Sequence, residues 1–184
     1  MFSLSHLPNQ QQNEKVIILI RRHWFILFRF IFLFLFLSFL PLLFYLFFVF
    51  TWPGVFAEIF FYAIMVIFFS LYYLCIWLLF FYSFLDYYLD IWIVTNYRII
   101  NIEQIGLFNR VISEQKLYRV QDVTSEVKGI APTFFDYGYV YIQTAGERAR
   151  FVFEQIPHPS DIRKKILALA EQNKHFQKVI SQDD

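Results

Sequence analysis

Residues 30–50 read Phe30-Ile-Phe-Leu-Phe-Leu-Phe-Leu-Ser-Phe-Leu-Pro41-Leu-Leu-Phe-Tyr-Leu-Phe-Phe-Val-Phe50, without one Asp, Glu, Lys or Arg. Residues 59–85 form a second run equally free of charge. With their apolar flanks, the runs extend over about 24–50 and 55–85. Crossing the hydrocarbon core of a bilayer takes about 20 helical residues, so each run is long enough to cross with tilt. From Phe28 to Phe36 phenylalanine alternates with other residues, which is a strand's period. From Phe30 onward, however, both alternating faces are apolar, and a lone strand in lipid would leave its backbone groups unpaired. Helix is the reading that physics allows. A secretory signal is a poor alternative, because its apolar region spans only about 7–15 residues and ends in a small-residue cleavage site.

Thr51-Trp52-Pro53-Gly54 separates the runs, with a Pro-Gly turn signal too short for anything but an antiparallel helical hairpin. Pro41 is expected to bend the first helix. Lys15, Arg21, Arg22 and Arg29 precede or begin the first run, the turn carries no Lys or Arg, and the next basic residue is Arg98. Positive charge stays on the cytoplasmic side. The expectation is a multi-pass protein of the cell (inner or plasma) membrane with both termini cytoplasmic. Arg21, Arg22, Trp24 and Trp52 are its expected interface anchors, and the bilayer is its first partner. Arg29 and Glu58 lie near the ends of the runs, where long charged side chains reach the interface. No charged pair or His cluster lines the middle, so an intramembrane active site or transport path is not expected.

Hydrophobic residues make up 58% of the chain and charged residues 17%, but the bias is concentrated in these runs. From Asp86 onward the chain holds 12 Lys/Arg against 13 Asp/Glu, and the net charge overall is +1, which gives no drive toward nucleic acid. The single cysteine, Cys75, excludes an intrachain disulfide framework and a cysteine zinc cluster. The organisation read from the chain is a flexible N-terminal segment over residues 1–20, the two-helix hairpin over 21–86, a soluble domain over 87–172 and a polar tail over 173–184.

In the soluble part the period changes. Residues 89–95 are strand-like and β-branched, Asn96-Tyr97 forms a tight turn, and residues 98–104 alternate with Ile100 and Ile102 on one face. Gly106 marks the next turn, residues 107–117 read as another strand, and Gln121, Val123, Ser125 and Val127 recur at period two. Residues 128–138 contain Gly and Pro breakers and read as a loop. Residues 139–144 are a strand, and Thr144-Ala-Gly146-Glu147 is a hairpin signal returning the chain to Ala149, Phe151 and Phe153. A helix begins at about Pro157-His158-Pro159-Ser160-Asp161, with Ile162, Ile166 and Leu169 on its apolar face. About six short strands with one closing helix favour a small antiparallel barrel or sandwich.

Trp92-Ile-Val-Thr-Asn-Tyr-Arg98, Gly106-Leu, Leu117-Tyr-Arg119-Val-Gln-Asp122, Phe135-Asp-Tyr-Gly138-Tyr-Val-Tyr-Ile, Thr144-Ala-Gly146 and Ile156-Pro-His-Pro-Ser-Asp161, in this order, resemble the bacterial pleckstrin-homology-like (PH-like) domain. The arrangement of two helices before that domain is similar to the YdbS-like membrane branch. The resemblance covers residues 86–170 and implies an α+β soluble domain, a bent seven-stranded antiparallel barrel capped by a C-terminal helix. It implies binding or scaffolding rather than catalysis, with a protein partner or a second copy of the chain at the cytoplasmic face. It supplies no ligand. Classical relatives hold phosphoinositides with a basic cluster in the first hairpin loop. Here that loop reads as Asn96-Tyr97 with Arg98 alone beside it, which disfavours headgroup recognition of that kind.

Arg98, Arg110, Lys116, Arg119, Lys128, Arg148 and Arg150 make a candidate face toward anionic lipid or a partner, each worth about 1 kcal/mol at a membrane surface. Interleaved with Glu103, Glu114, Asp122, Glu126 and Glu147, they read more simply as dispersed solubilising charge, and anionic-lipid sensing stands as the alternative function. Arg119 and Asp122 suggest a pair internal to the fold, and Tyr137-Gly138 a position needing glycine's access to positive φ. His6, His23, His158 and His175 are scattered, with no helical zinc spacing. A nucleophile elbow, a P-loop and a dinucleotide fingerprint are all missing from the chain. No enzyme activity, metal, cofactor or small-molecule substrate is expected.

Overall fold

The computed structural model describes residues 10–11, 13–52, 54, 58–144 and 151–183, with side chains to residue 175. The chain divides into two compact units: Trp24–Tyr87, and the residues on either side, Met1–His23 with Tyr88–Asp184.

The first unit is a pair of helices, α1 (Trp24–Thr51) and α2 (Ile59–Leu89). At 1.5 Å per residue they are about 42 and 46 Å long, more than a hydrocarbon core of about 30 Å requires. Both are apolar on every side, and only Ile26, Pro41 and Ile76 are buried. An apolar helix left exposed all round suits lipid, whereas the core helix of a soluble protein would be covered. The helices are antiparallel: Phe34 packs on Trp77 (ring centroids 6.2 Å) and Phe80 (4.7 Å), and Phe44 on Phe69 (5.8 Å). Pro41 has no N–H, so the Leu37 carbonyl four residues earlier loses its helical donor. The Tyr72 hydroxyl of α2 donates to that carbonyl at 2.9 Å, and Tyr73 donates to Ser38 O at 3.0 Å. The α2 helix runs four residues past the expected limit of the run, to Leu89. The expected start of the second run at residue 55, and Pro53 of the turn, lie outside the described residues.

Among the described residues, the second unit holds seven strands and two helices. Strand β1 (Val16–Arg21) precedes α1, and β2 (Ile91–Thr95), β3 (Arg98–Ile105) and β4 (Asn109–Lys116) follow α2. A 3₁₀ turn (Leu117–Arg119) leads to β5 (Val120–Glu126), α3 (Ile130–Phe135), β6 (Tyr137–Thr144), β7 (Phe151–Pro157) and α4 (Pro159–Asp183). The strands form two antiparallel sheets, in order β1-β2-β3-β4 and β5-β6-β7. The expected barrel is thus corrected to two separate sheets that do not close into a ring.

Several sequence expectations change. Residues 16–20, read as part of a flexible segment, and Arg21, read as the start of the hairpin, form β1, an edge strand with Arg21 opposite Ile91. The two helices are therefore the connection between the first two strands, and Asn96-Tyr97 is the second strand connection instead of the first. Within residues 128–138 lies a short helix: Pro132 sits in its first turn, where a missing N–H costs nothing. The final helix starts at Pro159, after β7 has continued to Pro157, and its backbone continues through the expected tail to Asp183. The turn expected at residues 145–147 lies outside the described residues.

The core fills the space between the sheets with Trp92, Val94, Ile99, Val140, Ile142 and Phe153, and α4 covers it with Ile162, Ile166 and Ala170. Ile100 and Ile102 point to the opposite face of their sheet. There they form a second buried cluster with Ile93, so β2 and β3 are buried on both sides. Gly138 does not have positive φ. Its need is spatial, since a Cβ there would collide with the Glu126 carbonyl oxygen.

Candidate functional site

The chain leaves the β-rich unit for the helices at Arg21–His23 and re-enters at Asp90. A polar collar ties these points together. The Arg22 guanidinium lies 2.7 Å from Asp90 Oδ2 and 3.1 Å from Glu154 Oε2. Asp90 Oδ1 accepts the Gln104 N–H at 2.9 Å. The His23 N–H donates to Gln155 O at 2.7 Å, with Gln155 itself in the left-handed region (φ 52°). The His23 ring stacks on Tyr137 at 5.2 Å with an 18° interplanar angle. Burial, then the neighbouring His158, push the His23 pKa below its ordinary value, against a smaller opposing pull from Asp136.

At the opposite end of the sheets lies a second polar network. Arg98 is 6% exposed and donates through Nε to Glu14 Oε1 at 2.8 Å and through Nη1 to Glu114 Oε2 at 2.5 Å. Thr95 also bonds Glu14 at 2.9 Å. Burial alone would raise the Glu14 carboxyl; the hydrogen bonds from Arg98, Gln11 and Thr95, with the Arg98 charge, outweigh it and hold the pKa below the usual range. Beside this network is a shallow depression lined by Tyr97, Lys116, Tyr118, Arg119 and Asn173. Lys116 and Arg119 flank the half-buried Tyr118 ring at 5.8 and 5.9 Å. The Arg119 hydrogen bond, foremost, and the two positive charges lower the Tyr118 hydroxyl pKa.

A third feature is a cleft between β2–β4 and β7. Trp92, Asn101, Ser113 and Gln115 line it on one side and Phe151, Val152 and Glu154 on the other, with Arg22, Asp90 and Glu103 at its rim. Trp92 and Asn101 are cross-strand partners. Trp92 Nε1 and Asn101 Oδ1 are buried and have no hydrogen-bond partner among the described residues. One is a donor and the other an acceptor.

The candidate basic face does not come together. Arg98 is buried in its ion pair, a correction to its expected outward role. Arg110 stands at the start of β4 and Lys116 at its end, about 20 Å apart at 3.3 Å per residue. Lys128 is exposed between β5 and α3. Arg148 and Arg150 lie outside the described residues. Among the interface candidates, Arg22 is spent on Asp90 and Glu154, and Arg21 lies over the Tyr88 ring at 5.7 Å. Trp24 and Trp52 are exposed at the two ends of α1. The expected Arg119–Asp122 pair is not formed by these side chains: Arg119 turns to Tyr118, and Asp122 bonds Thr124. No group of three or more His, Cys, Asp or Glu able to hold a metal occurs among the described residues. Sequence reading missed Glu14, His23, Asp90, Trp92 and Asn101. The one available signal was the β-branched run from Val16 to Ile20, which marks a strand and places its neighbours Glu14 and His23 in the domain.

The family described as Bacterial PH domain matches residues 26–170. Among solved structures, the chain is similar to a DUF1696 family protein with a pleckstrin-homology domain from Shewanella loihica PV-4, at 20% identity and a TM-score of 0.36, covering 44% of this chain and 70% of that one. No curated protein matches the chain.

Proposed function

Because the chain belongs to the bacterial PH domain family, we propose that it is a membrane-anchored interaction module of the YdbS-like branch, binding a protein partner or a second copy of itself at the cytoplasmic face of the cell membrane. The cytoplasmic placement rests on Lys15, Arg21, Arg22 and Arg29 at one end of the helical pair. A binding role, not a catalytic one, agrees with the family.

The observation that carries this reading is the floor of the cleft. An unpaired buried donor or acceptor costs about 1–3 kcal/mol. Trp92 Nε1 and Asn101 Oδ1 would both be relieved by a ligand that offers an acceptor and a donor together, as a peptide group does. Sensing of anionic lipid by a single basic face has less support, because the cations stand at both ends of the sheets.

A photocrosslinker at Ser113, in the full chain in native membranes, tests the proposal. The expected result is an adduct with a protein, or with another copy of the chain, that is lost when Trp92→Phe and Asn101→Val remove the two polar atoms. Recovery of uncrosslinked monomer alone, or an adduct indifferent to the substitutions, contradicts it.

A further inference from the structure

Two exposed apolar groups lie at the same end of the β-rich unit, the end where the chain departs for the helices. The register fixes the first. Ile91, the first residue of β2, pairs with Ile102, and β3 continues three residues further to Ile105. Ile105 thus stands about 10 Å beyond the start of β2, and the Gln104–Asp90 hydrogen bond holds the extension beside the chain's re-entry point. The turn at its tip carries Leu107 and Phe108, the latter 94% exposed. The second group is α3, with Ile130 at 93% and Phe134 at 81% exposed. It leads directly into Tyr137, whose ring stacks on His23, the residue before α1. Arg110 is exposed beside the first group and Lys128 beside the second.

Bulky apolar side chains so fully exposed at chosen tips require a cover. No linker separates β1 from α1 beyond Arg22 and His23, and only Asp90 separates α2 from β2. The segments that join the unit to a bilayer crossed by the helices therefore leave from this end. We infer that the rim formed by the β3–β4 turn and α3 inserts Leu107, Phe108, Ile130 and Phe134 into the bilayer interface, with Arg110 and Lys128 set against anionic headgroups. This rests on the reading of α1 and α2 as membrane spans. Aromatic and aliphatic tips flanked by cations are the chemistry of interfacial insertion, whereas recognition of one headgroup would need converging cations. The Lys116–Arg119 end of the sheets, opposite the rim, would then stay away from the bilayer.

The test uses the full chain in lipid vesicles, with an environment-sensitive fluorophore on single cysteines and a quencher carried on the lipid chains. The sites are Phe108→Cys, Phe134→Cys and, as an opposite-end control, Arg119→Cys, each in a Cys75→Ser background. The wild-type chain labelled at Cys75, which is exposed on α2, reports on the spans. The expected result is quenching at residues 75, 108 and 134 but not at 119, increasing at 108 and 134 when anionic lipid is added. Quenching at 75 without quenching at 108 and 134 overturns the rim. A blue-shifted but unquenched signal at those sites overturns it in favour of a protein cover. Absence of quenching at 75 overturns the span reading, and the rim falls with it.

Discussion

At the residue scale the molecule rests on a few side chains whose substitutes would not fit. Gly138 is one: its Cα passes so close to the Glu126 carbonyl that any Cβ must displace backbone. Gly138→Ala is expected to destabilise the β-rich unit by about 3 kcal/mol, the upper range for overpacking, measured by chemical denaturation of the full chain in detergent. His23 is another. Its pKa is held below the ordinary 6.5 by burial and by His158. A depressed pKa means that the unfolded chain binds the proton more readily. Stability is therefore complete above about pH 6.5 and falls as the pH drops below it toward the folded value. His158 and Asp136 face the ring, so the control is His23→Gln, which should flatten this part of the pH profile. An unchanged profile in the variant would remove His23 from the explanation. Glu14, also depressed, should add a second loss below about pH 4.5.

At the element scale, what could be read in advance followed from how local the signal was. The helices were legible because about 20 uncharged residues in succession have few other fates. Strand β1 was not, because six residues separated from their partner strand by two long helices give no pairing signal. The burial of Arg98 was hidden for the same reason, since its partner Glu14 lies 84 residues earlier. The basic face failed because equal spacing in sequence does not reveal which end of a strand a residue occupies. Helix α3 was concealed by Gly129 and Pro132, which read as breakers although they sit at a helix start. The role of Pro41 was half visible: the missing N–H follows from sequence, but its remedy does not. Tyr72 restores a donor to Leu37 O. Tyr72→Phe should weaken the helix pair by about 1–2 kcal/mol in a steric-trap or thermal assay. In a Pro41→Ala background, where the helix supplies its own N–H, the same change should cost much less. Equal costs in the two backgrounds would show that the proline and the tyrosine are not coupled.

At the scale of the whole molecule, the arrangement is one β domain with a membrane-type helical pair inserted between its first and second strands. Arg21 and Ile91 are neighbours across the sheet, so the insertion leaves and returns at adjacent strand ends, and the collar of Arg22, His23, Asp90, Glu154 and Gln155 closes the gap. Both ends of the helical pair are thereby joined to neighbouring strands of one sheet. The arrangement predicts that the soluble part is not simply the C-terminal part of the chain. The most direct measurement compares two soluble chains by cooperative thermal unfolding and amide dispersion in NMR spectra. One contains residues 88–184 alone. The other joins residues 10–22 to 90–184 through an Asn-Gly turn in place of the helices. The joined chain is expected to fold cooperatively, because β1 and its buried Ile20 are restored, and the shorter chain to remain unfolded or loosely packed. Equal folding of residues 88–184 without β1 would contradict it.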